Sequence, residues 1–311
     1  MSVIASQLPA ADNALLRARL PGHEVIDLAT GAFSAEHAEV LILRPLNVRG
    51  QRLDHAPPGW PWSLRWVQLV SSGIDYYPAW LFGEVPVSSG RGSNAEQVAE
   101  FALAAIFAAA KQLPGLWVKD DQWRFSPLQP VRGSTLGILG FGSIGQALAA
   151  KALALGMRVL AHGRPGQPLA EVPGVSAAAS LEALFQHSDH LVLAAPLTAH
   201  TRGLVGARLL SQAKPGLHLI NIARGALLDQ QALLAALERG LLSRATLDVT
   251  EPEPLPAGHP LYQHPRVFIS PHTSALSSDG LAGFVEAFAG NFERFSQGQA
   301  LHNLVDPQRG Y

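Results

Sequence analysis

The run Thr135-Leu-Gly-Ile-Leu-Gly140-Phe-Gly142-Ser-Ile-Gly145 sets the architecture of this 311-residue chain. A short apolar stretch, Leu136 to Leu139, leads into three glycines spaced Gly-x-Gly-x-x-Gly. An apolar helical pattern, Ile144 to Ala154, follows. A strand before and a helix after are what distinguish a dinucleotide fingerprint from an ordinary glycine-rich turn. Gly140 permits the tight turn, Gly142 lets a pyrophosphate approach the backbone, and Gly145 lets the helix pack closely on the strand. The first-turn N–H groups of that helix then face the phosphates. Gly140, Phe141, Gly142, Ser143, Ile144 and Gly145 are therefore the first candidate cofactor-binding residues.

Downstream of this turn the pattern alternates. Strand-like runs are Arg158–Ala161, His190–Ala194, Leu217–Ile222, Arg244–Asp248 and Val267–Ser270, with helix-like stretches such as Gln230–Arg239 between most of them. That alternation predicts a parallel sheet covered on both faces. Upstream, Val25–Leu28, Val40–Leu43 and Val67–Val70 read as further strands, around a Pro- and Trp-rich loop from Ala56 to Trp62. All six tryptophans (Trp60, Trp62, Trp66, Trp80, Trp117 and Trp123) precede residue 124, so the chain changes character there. Ser93 and Glu96 form a capping-box pattern ahead of Val98–Ala110, a run apolar nearly all round and so expected to be buried on most sides. A last helix is expected from Ser278 to Phe295.

Composition narrows the function. Hydrophobic residues make up 48% and charged residues 15%, enough apolar surface for a large core. The 23 basic and 24 acidic side chains leave a net charge of −1, which argues against nucleic acid as a partner. The absence of cysteine excludes disulfides, thiol nucleophiles and Cys-based metal sites. The longest apolar stretch, Phe101 to Ala110, is shorter than the about 20 residues of a membrane span. The N-terminus lacks the pattern of a secretory signal. A cytoplasmic protein with no membrane partner is the expectation. Of the 12 histidines, one is the first side chain to suspect of acid–base chemistry.

The strand after the fingerprint ends His162-Gly163-Arg164. A dinucleotide site that selects NAD commonly carries Asp or Glu there, to bond the ribose hydroxyls. Here an arginine stands instead, and a guanidinium suits a 2′-phosphate. NADP(H) is the expected cofactor, with NAD(H) possible. His162, Gly163 and Arg164 join the candidate cofactor residues.

Three further motifs carry a resemblance. They are Ile220-Asn-Ile-Ala-Arg224-Gly-Ala-Leu-Leu-Asp229, Leu247-Asp248-Val-Thr-Glu-Pro-Glu253-Pro-Leu-Pro256 and Ser270-Pro-His272-Thr273. In their order and spacing the chain resembles the D-isomer-specific 2-hydroxyacid dehydrogenases, and most of all their glyoxylate/hydroxypyruvate reductase branch. The likeness spans nearly the whole chain and is strongest from Ser134 to Thr273. The resemblance implies an α/β fold of two Rossmann-like or flavodoxin-like domains with parallel sheets. The nucleotide-binding domain, 93–273, is inserted in a substrate domain made of 1–92 and 274–311. It also implies NADPH-dependent reduction of small 2-oxo acids to D-2-hydroxy acids, and a homodimer. The aromatics of Leu116–Trp123 suit such an interface.

By the resemblance the catalytic residues are Arg224, Glu253 and His272, and the residue types suit the chemistry. His272 can give the carbonyl oxygen its proton, Glu253 favours the imidazolium, and Arg224 can polarise the carbonyl and pair with a carboxylate. Glu253 is chosen over Glu251 because the family acid lies five residues after the motif aspartate, here Asp248. The backbone N–H groups of Ser72, Gly73 and Ile74 are implied to bind the substrate carboxylate. Pro196, Thr201 and Ile222 are implied cofactor contacts, and Asp248 a partner of the nicotinamide carboxamide. Ala95 and Thr250 depart from the family pattern, which often has a hydroxyl and an aromatic there. Arg44 is a lesser substrate candidate. His187 and His190 are at helical spacing and read as an exposed helix end, and no metal is expected. A non-enzymatic dinucleotide sensor or corepressor on the same scaffold is the alternative. A SAM-dependent methyltransferase is a third reading, and it leaves the three motifs unexplained.

Overall fold

The computed structural model describes residues 1–29, 32, 35–45, 54–123, 125–164, 166–279 and 281–311. The chain divides into two compact units, Met1–Asn94 with Ser277–Tyr311, and Ala95–Leu276. In chain order the first holds β1 (Val3–Ser6), α1 (Ala10–Arg19), β2 (Glu24–Asp27), β3 (Val40–Leu43), β4 (Trp66–Leu69) and β5 (Val87–Ser88). The second holds α2 (Ala95–Ala110), β6 (Thr135–Leu139), α3 (Ser143–Ala154), β7 (Arg158–His162), β8 (Val175–Ala177), α4 (Leu181–His187) and β9 (His190–Leu193). It continues with α5 (Ala207–Leu210), β10 (Leu217–Asn221), α6 (Gln230–Glu238), β11 (Leu242–Leu247), α7 (Pro260–Gln263) and β12 (Val267–Ile269). The chain then returns to the first unit as α8 (Ala282–Ser296).

Both sheets are parallel throughout. The first runs β2-β1-β3-β4-β5, the flavodoxin-like order. The second runs β12-β11-β10-β9-β6-β7-β8, the doubly wound order with one strand added at an edge. Parallel strands are buried on both faces, and the side chains alternate accordingly. In the first unit Ile4, Ile42 and Trp66 meet Phe284, Phe288 and Phe292 of α8, while Ala5, Leu41, Leu43 and Val67 meet Tyr77 and Leu81 on the other face. Trp66 stacks on Phe288 at 5.1 Å, and its indole N–H donates to Ser88 Oγ at 2.7 Å. In the second unit Leu136, Ile138, Val192 and Ile220 pack on α2 and α3, while Leu191, Leu193, Leu219 and Leu247 pack beneath α4 and α6.

The α/β class and the parallel sheets agree with the sequence reading, but several details differ. β1, β5 and β8 are two to four residues long and carry no alternation to read. Helix α1 follows Pro9 and has no side-chain cap. Ser93 does not cap α2, because its hydroxyl donates to Gly90 O at 2.7 Å and the helix begins two residues later. The final helix begins at Ala282 rather than Ser278, and Gly280 of the expected span lies outside the described residues.

The pair His187 and His190 needs correction. His187 closes α4, but the chain turns extended at Ser188, and His190 is the buried first residue of β9. Asp189 causes the change by pairing with the start of β6. Its N–H donates to Thr135 O, and its carboxylate accepts from Thr135 N at 2.8 Å. In register across the sheet, His190 Nδ1 meets His218 Nδ1 at 3.2 Å, and His218 Nε2 meets Thr246 Oγ1 at 2.9 Å. Burial pushes His190 down to about 4, against a weaker opposing pull from Asp189. Burial, with the charges of His190 and Arg244, holds His218 well below the usual imidazole range.

Both rings therefore fold neutral. Between about pH 6.5 and 4 the unfolded chain binds protons that the folded chain refuses, so stability falls as the pH is lowered through that window. His190 alone accounts for about 3 kcal/mol. Urea unfolding of wild type and His190→Gln at pH 7 and pH 4.5 checks this. The variant is expected to lose less stability on acidification, and equal losses would refute the assignment.

Candidate active site

Strands β10, β11 and β12 are neighbours, and the loops that leave their C-terminal ends carry Arg224, Glu253 and His272. In an open α/β sheet that edge is where ligands bind. His272 Nδ1 lies 2.9 Å from Glu253 Oε2, and the other carboxylate oxygen accepts the Thr250 N–H at 3.0 Å. One oxygen orients the acid and the other faces the imidazole. Both side chains keep about a third of their surface open, 35% for His272 and 33% for Glu253, so the pair is reachable by solvent or substrate. His272 has φ +51°, a left-handed conformation uncommon for a residue with a Cβ. Its N–H donates to Asp248 O at 2.9 Å, which holds it there.

Asp248 is the anchor of this group. It is 1% exposed, and its N–H donates to Asn221 O at the end of β10. Its carboxylate accepts from Ser270 Oγ at 2.6 Å, Thr273 N at 2.9 Å and Ser274 N at 3.0 Å. A carboxylate offers about four acceptor positions, so three are used in fastening the His272 loop. Asn221, fully buried, acts similarly one strand away. Its amide donates to Arg224 O at 2.9 Å and accepts from Ala223 N at 3.1 Å, shaping the turn that presents Arg224. The Arg224 guanidinium donates to Ala223 O at 2.7 Å.

The glycine turn lies at the same edge, after β6. Gly140 has φ +97°, and a Cβ there would come within 2.5 Å of Ala195 N, beyond the end of β9. Only glycine lets the two strand ends approach. A Cβ at Gly145 would sit 2.5 Å from Gly140 O, whereas one at Gly142 would meet nothing within 4 Å. Gly142 therefore faces open space at the N-terminus of α3, which has neither a side-chain cap nor an acidic residue in its first turn. Uncapped N–H donors beside an open glycine fit a dinucleotide phosphate. Phe141 is buried, while Ser143 and Ile144 open the helix.

His162 ends β7, and its carbonyl accepts the Gly140 N–H at 2.9 Å. Gly163 leaves room for the Leu169 side chain, and Arg164 follows exposed at the strand end. Pro196 is exposed after β9, and Thr201 closes its loop by donating to Pro196 O at 2.7 Å. The Ile222 side chain belongs to the core beside Phe141. No group of three metal-ligating side chains occurs among the described residues.

Ser72, Gly73 and Ile74 belong to the other unit, just beyond the end of β4. Ser71 Oγ lies 2.7 Å from Gly73 O and 3.1 Å from Tyr77 Oη, with one proton for the two acceptors, and Tyr77 Oη donates to Leu43 O at 3.2 Å. Burial pushes the Tyr77 phenol above its ordinary range. Among the described residues the N–H groups of Ser72, Gly73 and Ile74 donate to no backbone acceptor. The sequence reading missed Asn221 and Ser270, and it noted Thr250 only as a departure from the family pattern; their positions within the motifs were the available signal.

The family model for the D-isomer specific 2-hydroxyacid dehydrogenase NAD-binding domain matches residues 103–274. The chain is 33% identical over 258 residues to glyoxylate/hydroxypyruvate reductase A of Serratia proteamaculans, covering 80% of this chain and 82% of that one. It is 31% identical over 308 residues to glyoxylate/hydroxypyruvate reductase B of Pectobacterium atrosepticum, covering 94% and 95%. A similar solved structure is a D-isomer specific 2-hydroxyacid dehydrogenase from Xanthobacter autotrophicus in complex with NADPH and MES. Its TM-score is 0.83 at 27% identity, with 100% of this chain and 99% of that one covered. Another is the NADPH-dependent glyoxylate/hydroxypyruvate reductase of Sinorhizobium meliloti in complex with NADP and sulfate, with TM-score 0.81, 27% identity and 100% of both chains covered. The chain belongs to the D-isomer-specific 2-hydroxyacid dehydrogenase family.

Gly225 follows Arg224, and a Cβ there would lie 2.0 Å from the Thr250 carbonyl carbon. Gly225→Ala must push the Glu253 loop away, an overpacking expected to cost about 1–3 kcal/mol. Chemical denaturation of the variant checks this, and an unchanged midpoint would show that the contact is loose.

Proposed function

We propose that the protein reduces small 2-oxo acids of the glyoxylate or hydroxypyruvate type to D-2-hydroxy acids, with NADPH as reductant. The observation that carries this reading is the 2.9 Å pairing of His272 Nδ1 with Glu253, in a loop beside the one that presents Arg224. Bound at the glycine turn, the reduced dinucleotide supplies a hydride to the carbonyl carbon. The chain supplies the rest. Because Nδ1 faces Glu253, the proton for the carbonyl oxygen leaves from Nε2, and Glu253 stabilises the imidazolium that precedes transfer. Arg224 polarises the carbonyl and pairs with the substrate carboxylate. In the other unit, the N–H groups of Ser72, Gly73 and Ile74 are the substrate-binding donors of this reading.

Arg164, at the end of β7 where a carboxylate would repel a 2′-phosphate, selects NADPH over NADH. Pro196, Thr201 and Ile222 are further cofactor contacts of this reading, and the fourth acceptor position of Asp248 takes the carboxamide. No helix among the described residues is long and apolar enough to cross a membrane. We assign the protein to the cytoplasm and to a homodimer. Trp117, Trp123 and Phe125 are 65%, 73% and 93% exposed between α2 and β6, and aromatics of that kind favour an interface.

Loss of NADPH absorbance with a panel of 2-oxo acids tests the activity. His272→Asn is expected to lower kcat by about 10²- to 10⁴-fold. Turnover surviving within a few-fold would remove His272 from the mechanism, and no turnover by wild type with any 2-oxo acid would favour the sensor reading. A higher kcat/KM with NADH would overturn the role of Arg164. Light scattering that returned the monomer mass at micromolar concentration would refute the dimer.

A further inference from the structure

We infer that Gln230 is a positioning residue for the His272–Glu253 pair, an inference that rests on the proposed reductase reading. Gln230 is the first residue of α6, directly after Asp229, whose carboxylate caps the helix by accepting from Gln231 N and Ala232 N. The Gln230 side chain is therefore not spent on the helix. Its Nε2 donates to Glu251 O at 2.6 Å, and its Oε1 accepts from Glu251 N at 3.2 Å. One amide thus takes both backbone groups of a single residue, as a neighbouring β-strand would. That fixes the orientation of the residue as well as its position.

Glu251 begins the exposed stretch of the loop. Val249 and Leu255 are buried and anchor its two ends, while Glu251, Pro252, Glu253 and Pro254 are exposed. Within the loop, Thr250 N donates to Glu253 Oε1 and Thr250 Oγ1 donates to Pro252 O at 2.9 Å. Among the described residues, the hydrogen bonds from 250–254 to anything outside the loop are the two from Gln230 and the one between Glu253 and His272. Apolar packing cannot hold this loop, so its geometry is set by the Gln230 amide on one side and Gly225 pressed against the Thr250–Glu251 peptide on the other. Gln230 and Gly225 both belong to the segment that begins with Arg224. The segment carrying the arginine is thereby fastened to the one carrying the acid. Gln230 touches none of the reacting groups and acts through Glu253.

Among the described residues, the loops after β10, β11 and β12 carry the ionisable side chains Arg224, Asp229, Asp248, Glu251, Glu253, His259 and Asp279, and Glu253 contacts the His272 ring. Gln230→Leu keeps the volume and removes both bonds. Steady-state kinetics with NADPH and the best 2-oxo acid are expected to show kcat lowered roughly ten- to a hundredfold. The KM for NADPH should be unchanged and Tm shifted by only a few degrees. Histidine NMR at one fixed pH, with the His272 signal assigned through His272→Asn, should show the His272 ring signals moved and the other histidine signals in place, without any turnover. That readout separates failure of this inference from failure of the reductase reading. Unmoved His272 ring signals in Gln230→Leu would overturn the role, as would a loss of kcat that merely tracks a loss of Tm. If the leucine variant does not fold, Gln230→Glu, which keeps the acceptor and loses the donor, carries the same test with the same two outcomes.

Discussion

The Asp248 carboxylate, buried where β11 ends, is the constraint on which the candidate active site depends. Its backbone joins the end of β10 through Asn221 and holds the His272 N–H, while its side chain gathers Ser270, Thr273 and Ser274. A buried carboxylate is costly unless it is fully hydrogen-bonded, and here the partners that satisfy it come from the loop that must be immobile. The same bonds hold His272 in a left-handed backbone conformation that the residue would not choose in isolation.

The sheet order gives this anchor its effect. In β12-β11-β10 the three strands end side by side, so three loops far apart in sequence are pinned to one edge. The edge continues past β9 to β6, where the connections diverge in opposite directions and Gly140 approaches the Ala194–Ala195 backbone. The phosphate end is prepared by absence, with no Cβ at Gly142 and no cap or acid on α3. The acid–base end is prepared by saturation, each carboxylate oxygen of Glu253 having its own donor. Anions are received where donors are left over, and proton transfer is prepared where hydrogen bonds are used up.

Polar burial elsewhere in the second unit follows the same rule with a different result. The His190–His218–Thr246 chain crosses β9, β10 and β11 on the face covered by α2, and Arg244 lies 3.6 Å from the Phe268 ring and reaches toward Ala108 O. His190 and His218 lie near the starts of their strands, and the proposed mechanism makes no use of either ring. They link stability to pH, because burial strips water from the charged imidazolium and keeps both rings neutral.

The sequence by itself determined the α/β class, the parallel sheets and the family, because glycine spacing and strand–helix alternation are local patterns set by backbone sterics and side-chain period. It also displayed Arg224, Glu253 and His272 within recognisable motifs. Tertiary structure alone decided how those residues are held. Asp248, placed in the sequence reading beside the nicotinamide, spends three of its acceptor positions on a loop more than 20 residues away. His190 opens the strand that its apolar run announced, but it is buried rather than exposed because its ring meets His218, 28 positions later. Gln230 looked like one more polar residue at a helix start until the fold brought Glu251 against it. Each of these is a hydrogen bond between distant segments. The partner of such a bond is chosen by strand order, and no local pattern records it.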